Sequence, residues 1–453
     1  MNLLKQASVY AENYLEDLKD RRVMPAPETL ELLKKLDLPL SEDSSDPAEV
    51  LNLLHTFASP ATVGNAGGRY FGLVTGGVYP VSLAANWLAA AWDQNAFSRL
   101  SSTAAAVIEE IALKYLIDVL ALPPECCGGF VTGATMANFT CLAAARQSVL
   151  KKAGWDVNAQ GLFNAPLISI VVGAEVHPTL LKALGMLGLG RERVIMIPVD
   201  DQGRMRADAL SKEMSSISGP VIVCLQAGNV NTGAFDPAEE ICRIARAGDA
   251  WVHVDGAFGL WAAAAPKRAF LAEGLTHADS WATDAHKWLN VPYDSGLAFV
   301  RHPDALREAM TLSAAYLPQG EEREPFEFTP ESSRRARGVE IWAVLRFLGR
   351  SGLADMIERT CCHASRFAEG LKEAGHRILN EVVLNQVIVS FGDEEANCRV
   401  IAGIQQEGTC WCGPTVWQNQ PGMRISVSSW ATTEEDVERS LAAMIRIASE
   451  QKF

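Results

Sequence analysis

The sequence predicts an α/β protein with a mainly parallel central sheet and a smaller C-terminal α+β domain. Three observations predict it. Apolar β-branched runs alternate with helical patterns from about residue 167 to 301. Beyond about residue 338 a long helical pattern gives way to the strand-like runs "VVLNQVIVSFG" and "GMRISVSSW" and a last helix. A chain of 453 residues with 48% hydrophobic content can bury one large core and a second, smaller one.

Taken in order, residues 4–20 and 46–57 carry helical periodicity, and "VMPAPETL" and "PLSEDSSDPAEV" between them read as a wrapping linker. This segment, 1–60, is too thin for a core of its own and is expected to pack on a dimer partner. Ala- and Leu-rich helices follow over 80–122, and then "CCGGFVTGATMANFTCLAAARQSVLKK" passes from an extended piece into an Ala-rich helix. The strands expected next are "LISIVVG" (167–173), "RVIMIPV" (193–199), "PVIVCLQAG" (220–228), "AWVHVDGAFG" (250–259), "DSWAT" and "SGLAFVR" (295–301). A large domain over 61–310 and a loop with a small domain over 311–453 complete the expected organisation.

Composition excludes several function classes. The formal charge of −14, without a basic cluster longer than "SSRRAR", argues against nucleic acid and against an anionic membrane surface. The N-terminal stretch lacks a basic region followed by an apolar core, and no uncharged run reaches membrane-spanning length, so a cytoplasmic location is expected. Ten cysteines without CxxC pairs, and eight scattered histidines without HxH or HExxH, point to reduced thiols and no protein-held metal.

Four features fall at strand ends or a helix start. In "TGATMANFT", Gly133, Ala134 and Thr135 open a helix whose backbone N–H groups can hold a phosphate, although a threonine there is more often only a cap. Asp255 ends the strand in "WVHVDGAFG", and Gly256 and Ala257 behind it leave room for something flat. His177 in "GAEVHPTL" follows another strand, where Pro178 can start a helix. Lys287 follows the short strand in "DSWATDAHKWLNVPYDSG". A helix-start phosphate site, a carboxylate, a flat space and a lysine are the parts needed to hold pyridoxal phosphate.

With "HVDGAFG", "ADSWATDAHKW" and "SRRARGVEIW" in this order and spacing, the chain resembles the group II pyridoxal phosphate-dependent decarboxylases of the aromatic amino acid and glutamate type. The resemblance runs from about residue 5 to the C-terminus. It implies the aminotransferase-like fold type I, a homodimer with sites completed across the interface, and decarboxylation of an L-amino acid to an amine and CO2. It implies Lys287 as the Schiff-base lysine, His286 as a phosphate contact, Asp255 as the partner of the pyridine nitrogen and Ala257 as the residue under the ring. It implies His177 as the imidazole stacked on the ring, and Gly133, Ala134 and Thr135 as the phosphate cradle. Tyr316, in "LSAAYLPQGEEREPFEF", matches by spacing the tyrosine that protonates Cα; a phenylalanine there resembles relatives that make aldehydes instead.

The chain also departs from the family pattern. "AGNVNTGAFDP" replaces the usual Gly-Thr-Thr turn, leaving Asn229 or Asn231 to supply the polar contact, and Asp284-Ala285 precedes the His-Lys pair where the second residue is usually proline. The family's substrate side-chain region aligns with "GGRYFGLVTGGVYP", which carries neither the rings of aromatic-specific relatives nor the amide of glutamate-specific ones. In "WDQNAFSRL", Phe97 suits an aromatic substrate and Arg99 an acidic one. An aromatic amino acid is the first expectation and an acidic one the second, with a carbon–carbon lyase on the same scaffold as the further alternative.

Overall fold

The computed structural model describes residues 2–311 and 322–451. Strands β1 (Cys127–Val131), β2 (Ser169–Gly173), β3 (Ile195–Ile197), β4 (Val221–Gln226), β5 (Trp251–Asp255), β6 (Ser280–Asp284) and β7 (Gly296–Val300) form one sheet of order β1-β7-β6-β5-β4-β2-β3. Pairing is parallel from β6 through β5, β4 and β2 to β3, as the alternation of strands and helices predicts. The exception is β7, antiparallel to both β6 and β1. Helices Pro178–Met186, Ala207–Met214 and Ala238–Ala247 carry the crossovers between β2 and β5. Only the turn 285–295 joins β6 to β7, too short for the crossover that a parallel partner needs.

This topology decides where chemistry can gather. Since β1 and β6 both run antiparallel to β7, they point the same way. The carboxyl ends of β1, β6, β5, β4 and β2 therefore open on one edge of the sheet, where the amino end of β7 joins them. The Ala-rich helix Ala134–Lys152 lies over the sheet, and its fully buried Ala137, Ala144 and Ala145 let it approach closely.

Two compact units divide the chain. The larger comprises Val78–Ala364 with Asn380–Gln386, and the smaller Met1–Gly77, Ser365–Leu379 and Val387–Phe453. The bounds read from sequence set 311–453 apart instead. The helical region Gly338–Glu373 is broken at Gly349 (φ 59°, ψ −171°), and residues up to Ala364 belong to the larger unit. There Trp288 Nε1 donates to Thr360 Oγ1 at 3.0 Å. In the small unit, buried Arg69 donates to the carbonyls of Lys19 (2.9 Å), Arg21 (3.0 Å) and Thr409, so the N-terminal segment is tied to the C-terminal part of its own chain. Strands β8 (Arg377–Ile378), β9 (Gln386–Ser390), β10 (Gly413–Trp417) and β11 (Gln420–Ser426) form a second sheet of order β10-β11-β9-β8. Among the described residues no helix is long and apolar enough to cross a membrane.

One buried charge cluster braces the large unit. Glu109, on the helix Thr103–Val119, lies 2.8 Å from Arg334 and 3.1 Å from Arg323. Burial alone would push its carboxyl up, but the two guanidiniums outweigh burial and hold it below the usual range. A carboxyl held down by folding stabilises the protein above its unfolded pKa and loses that contribution as pH falls through its folded one. Glu109→Gln is expected to cost about 3 kcal/mol near neutral pH, because it strands buried Arg334. The cost should shrink in acid, and urea denaturation of both proteins at neutral and acidic pH measures it.

Candidate functional site

A cavity of about 320 Å³ opens at the carboxyl edge of the large sheet, within the size range of a small-molecule site. Gly133, Ala134, Thr135, His177, Asp255, Ala257, His286 and Lys287 all line it. Sequence separation is bridged by topology: these residues follow β1, β2, β5 and β6, the strands whose carboxyl ends share the edge. Tyr316 lies outside the described residues.

One end of the cavity is built for an anion. Gly133 supplies no side-chain cap to the helix Ala134–Lys152; Asp284 Oδ1 accepts the Ala134 N–H, and the N–H groups of the first turn beyond it point to the cavity end. The 19-residue helix also places its positive dipole end there. His286 adds a donor of defined tautomer. The Ser295 N–H donates to its Nδ1 at 3.1 Å, which leaves the proton of the neutral ring on Nε2. Burial lowers its pKa, and the Tyr293 ring lies 4.3 Å away, centroid to centroid.

The backbone makes this end narrow. A Cβ on Gly296 would lie 2.4 Å from Gly133 Cα, so only glycine lets β7 pass the loop that starts the helix. Gly296→Ala is expected to push the Gly133 loop outward and weaken pyridoxal phosphate retention at least about tenfold, the scale set by losing one charge-assisted hydrogen bond. Fluorescence titration of the apo-protein with the cofactor checks this.

At the other end Asp255 is buried at the tip of β5. Its Oδ2 accepts from Asn138 Nδ2 and its Oδ1 from the Ala257 N–H, both at 3.3 Å. Burial raises its pKa; the charges of His177 and Lys287 and these two hydrogen bonds only partly offset it. No ion pair reaches Asp255 among the described residues, so a cationic N–H on a ligand would relieve it. Beside it, His177 caps the helix Pro178–Met186, with Nδ1 accepting from the Thr179 N–H at 3.3 Å and 2.6 Å from Thr179 Oγ1.

Lys287 Nζ lies 2.9 Å from Asp284 Oδ2, while Asp284 Oδ1 accepts the Ala134 N–H at 2.5 Å. Sequence reasoning noted Asp284 only as a departure and missed it as a site residue; its place three residues before the lysine was the available signal. Among the described residues the nearest charge to Lys287 is thus a carboxylate. Also missed were Gln226, Val230 and Phe258 in the cavity wall. At the altered turn Asn229 is committed to the backbone: its Oδ1 accepts the N–H groups of Asn231 (2.9 Å) and Thr232 (3.2 Å). Its Nδ2 donates to Gln226 Oε1 at 3.2 Å; Gln226, at the end of β4, lines the cavity with its own amide held by Asn229 and by the Glu175 carbonyl.

The residues suggested for the substrate are engaged elsewhere. Phe97 stacks on Phe326 at 4.9 Å, and Arg99 pairs with Glu110 at 2.5 Å. Arg335 and Arg337 pair with Asp294 at 3.4 and 2.9 Å. In the small unit, Leu73 and Val74 of the shortened segment adopt left-handed backbone (φ 53° and 54°), a costly conformation for such side chains.

An anion cradle, a lysine and a buried carboxylate without an ion pair among the described residues together fit a phosphorylated pyridine aldehyde. Comparison with known proteins agrees. The family described as "Pyridoxal-dependent decarboxylase conserved domain" matches residues 35–391. The chain is 29% identical to the aromatic-L-amino-acid decarboxylase of Drosophila lebanonensis over 405 residues, 83% of this chain and 97% of the relative. It is 30% identical to the L-2,4-diaminobutyrate decarboxylase of Rhizobium meliloti over 379 residues, 79% of this chain and 72% of that protein. The fold superposes on Oryza sativa TDC, solved with PLP and tryptamine, with a TM-score of 0.91 at 21% identity, over 99% of this chain and 97% of that one. The chain therefore belongs to the pyridoxal-dependent decarboxylase family, as a carboxy-lyase that uses pyridoxal phosphate to decarboxylate an amino acid.

Proposed function

We propose that the substrate is an aromatic L-amino acid, converted to its amine and CO2 with uptake of one proton at Cα. The observation that carries this reading is the cavity wall. Met136, Val230 and Phe258 face the space beside the polar groups, and among the described lining residues Lys287 is the only lysine or arginine. A carboxylate side chain would need a cationic partner there, and Arg99 is already held by Glu110. The test is kcat/KM for tryptophan, tyrosine and phenylalanine against glutamate and aspartate. An aromatic preference of about 100-fold or more is expected, the scale at which a site leaves a wrong polar group unpaired. Preference for an acidic or a diamino acid would replace this reading.

In the proposed roles Lys287 would hold the cofactor covalently through its Nζ amine. The helix-start N–H groups beyond that of Ala134, which Asp284 accepts, would hold the phosphate with the Nε2–H of His286. Asp255 would partner the ring nitrogen, and Ala257 and His177 would hold the ring itself. What pyridoxal phosphate supplies when bound is an electron sink for the pair released from the Cα–carboxylate bond. Orienting that bond is the task of His177, whose ring is fixed through Thr179.

Tyr316 is the proposed donor of the proton to Cα, on the strength of its spacing from Lys287. Tyr316→Phe is expected to cut amine formation about 100-fold or more, as for loss of a general acid. Aldehyde and ammonia should appear in its place, as product analysis under oxygen would show. A homodimer in the cytoplasm is part of the proposal; the N-terminal segment keeps Leu4 and Leu40 largely exposed (75% and 99%), which suits burial against a second copy. Light scattering of the purified protein reads the dimer directly.

A further inference from the structure

Behind the cavity a row of buried polar side chains that the roles above do not use leads to Asp255. Trp251, His253 and Asp255 alternate along β5 and so share one face of the sheet. Ser280 of β6 is the register partner of His253, and Asn138 reaches the same face from the helix Ala134–Lys152. All five are buried. Trp251 Nε1 donates to Ser280 Oγ at 2.9 Å, and Ser280 Oγ lies 2.9 Å from His253 Nδ1. His253 Nε2 lies 2.8 Å from Asn138 Oδ1, and Asn138 Nδ2 donates to Asp255 Oδ2 at 3.3 Å.

The ends of this chain assign its protons. An indole N–H can only donate, and a carboxylate can only accept. With Asp255 ionised, the Asn138 amide must turn its NH2 to Asp255 and its oxygen to His253. His253 then carries its proton on Nε2 and accepts from the Ser280 hydroxyl at Nδ1. Each link of the chain then pairs one donor with one acceptor. A proton on Asp255 Oδ2 would reverse the direction, since the Ala257 N–H already holds Oδ1 as an acceptor: Asn138 flips, the imidazole proton moves to Nδ1, and Ser280 accepts from both Trp251 and His253. The Ser280 hydroxyl hydrogen is then left without an acceptor among the described residues, at the cost of one buried hydrogen bond.

We propose that His253, set by Ser280 and Trp251 and acting through Asn138, is a positioning residue that holds Asp255 in its carboxylate form for the cationic ring nitrogen of the cofactor. The relay opposes the burial that otherwise disfavours that carboxylate. Burial also keeps His253 itself neutral, lowering its pKa to about 3, as a one-proton relay requires. The proposal rests on the reading that Asp255 faces the ring nitrogen.

The test compares binding of pyridoxal phosphate and of its 1-deaza analogue, in which carbon replaces the ring nitrogen, to the full-length apo-protein. Wild type should bind pyridoxal phosphate more tightly than the analogue. His253→Phe should weaken pyridoxal phosphate about tenfold, the scale of one hydrogen bond to a charged group, and the analogue less than about twofold. Ser280→Ala, a smaller change that should fold even if His253→Phe does not, should weaken pyridoxal phosphate selectively and by less. Histidine-selective ¹⁵N spectra of wild type should show His253 neutral with its proton on Nε2.

Equal loss for both ligands in Ser280→Ala, or no loss for either, would overturn the relay and leave a structural role. A wild-type His253 with its proton on Nδ1 would overturn it too. A wild type that does not distinguish the two ligands would show instead that Asp255 does not meet the ring nitrogen, removing the reading on which the relay stands.

Discussion

Lys287→Ala is expected to abolish covalent retention of pyridoxal phosphate and to lower decarboxylation by roughly 10³-fold or more, the range for losing a group that acts on the reacting atoms. Dialysis followed by absorbance reads the first effect, and CO2 release the second. The fold should survive. Asp284, the partner of Lys287, keeps its bond from the Ala134 N–H, so the loss of one ion pair should cost only about 1 kcal/mol. If the variant kept the cofactor through dialysis as wild type does, the attachment point would have to lie elsewhere.

Asp255→Asn should separate activity from stability. The substitution preserves shape and removes the charge that would face the ring nitrogen, so kcat is expected to fall by about 10²- to 10⁴-fold while the cofactor remains attached. Stability of the apo-protein should move the other way. Burial raises the Asp255 pKa above its unfolded value, so its contribution to stability is fully present below the unfolded value and is lost as pH rises through the folded one. Near neutral pH the asparagine variant should therefore be the more stable apo-protein, by about 1 kcal/mol, and the gap should close in acid. Thermal melts across that range check the sign. Equal or lower stability of the variant at neutral pH would show that Asp255 is not held as a strained carboxylate.

How much of this was legible in the sequence depends on how local the signal is. Asp255 stands out because it ends an apolar run and Lys287 because it follows a short strand, and the alternation of strand and helix places such ends on one edge. The antiparallel course of β7 was not legible from its composition, since "SGLAFVR" is as apolar as its parallel neighbours; the short turn before it decides direction. Strands β8 and β10 were missed because one has two residues and the other, "GPTVW", is half exposed and starts with glycine and proline. The helix break at Gly349 lies inside an otherwise regular pattern.

Within the site, Gln226 was hidden by the turn next to it. Two asparagines there looked like the polar candidates, but an asparagine after a positive-φ glycine serves the turn's own N–H groups first. Asn138 and Ser280 carry no signal at all in one dimension. Their meaning comes from the register of β5 on β6 and from the helix laid across both.

The most direct test of the account is to run the reaction in D2O with an aromatic L-amino acid and to quantify CO2, amine and deuterium together. The account predicts CO2 and amine in equal amounts, with one deuterium at Cα of the amine, and loss of both products in Lys287→Ala. Aldehyde and ammonia in place of the amine, or turnover that persists without Lys287, would contradict it.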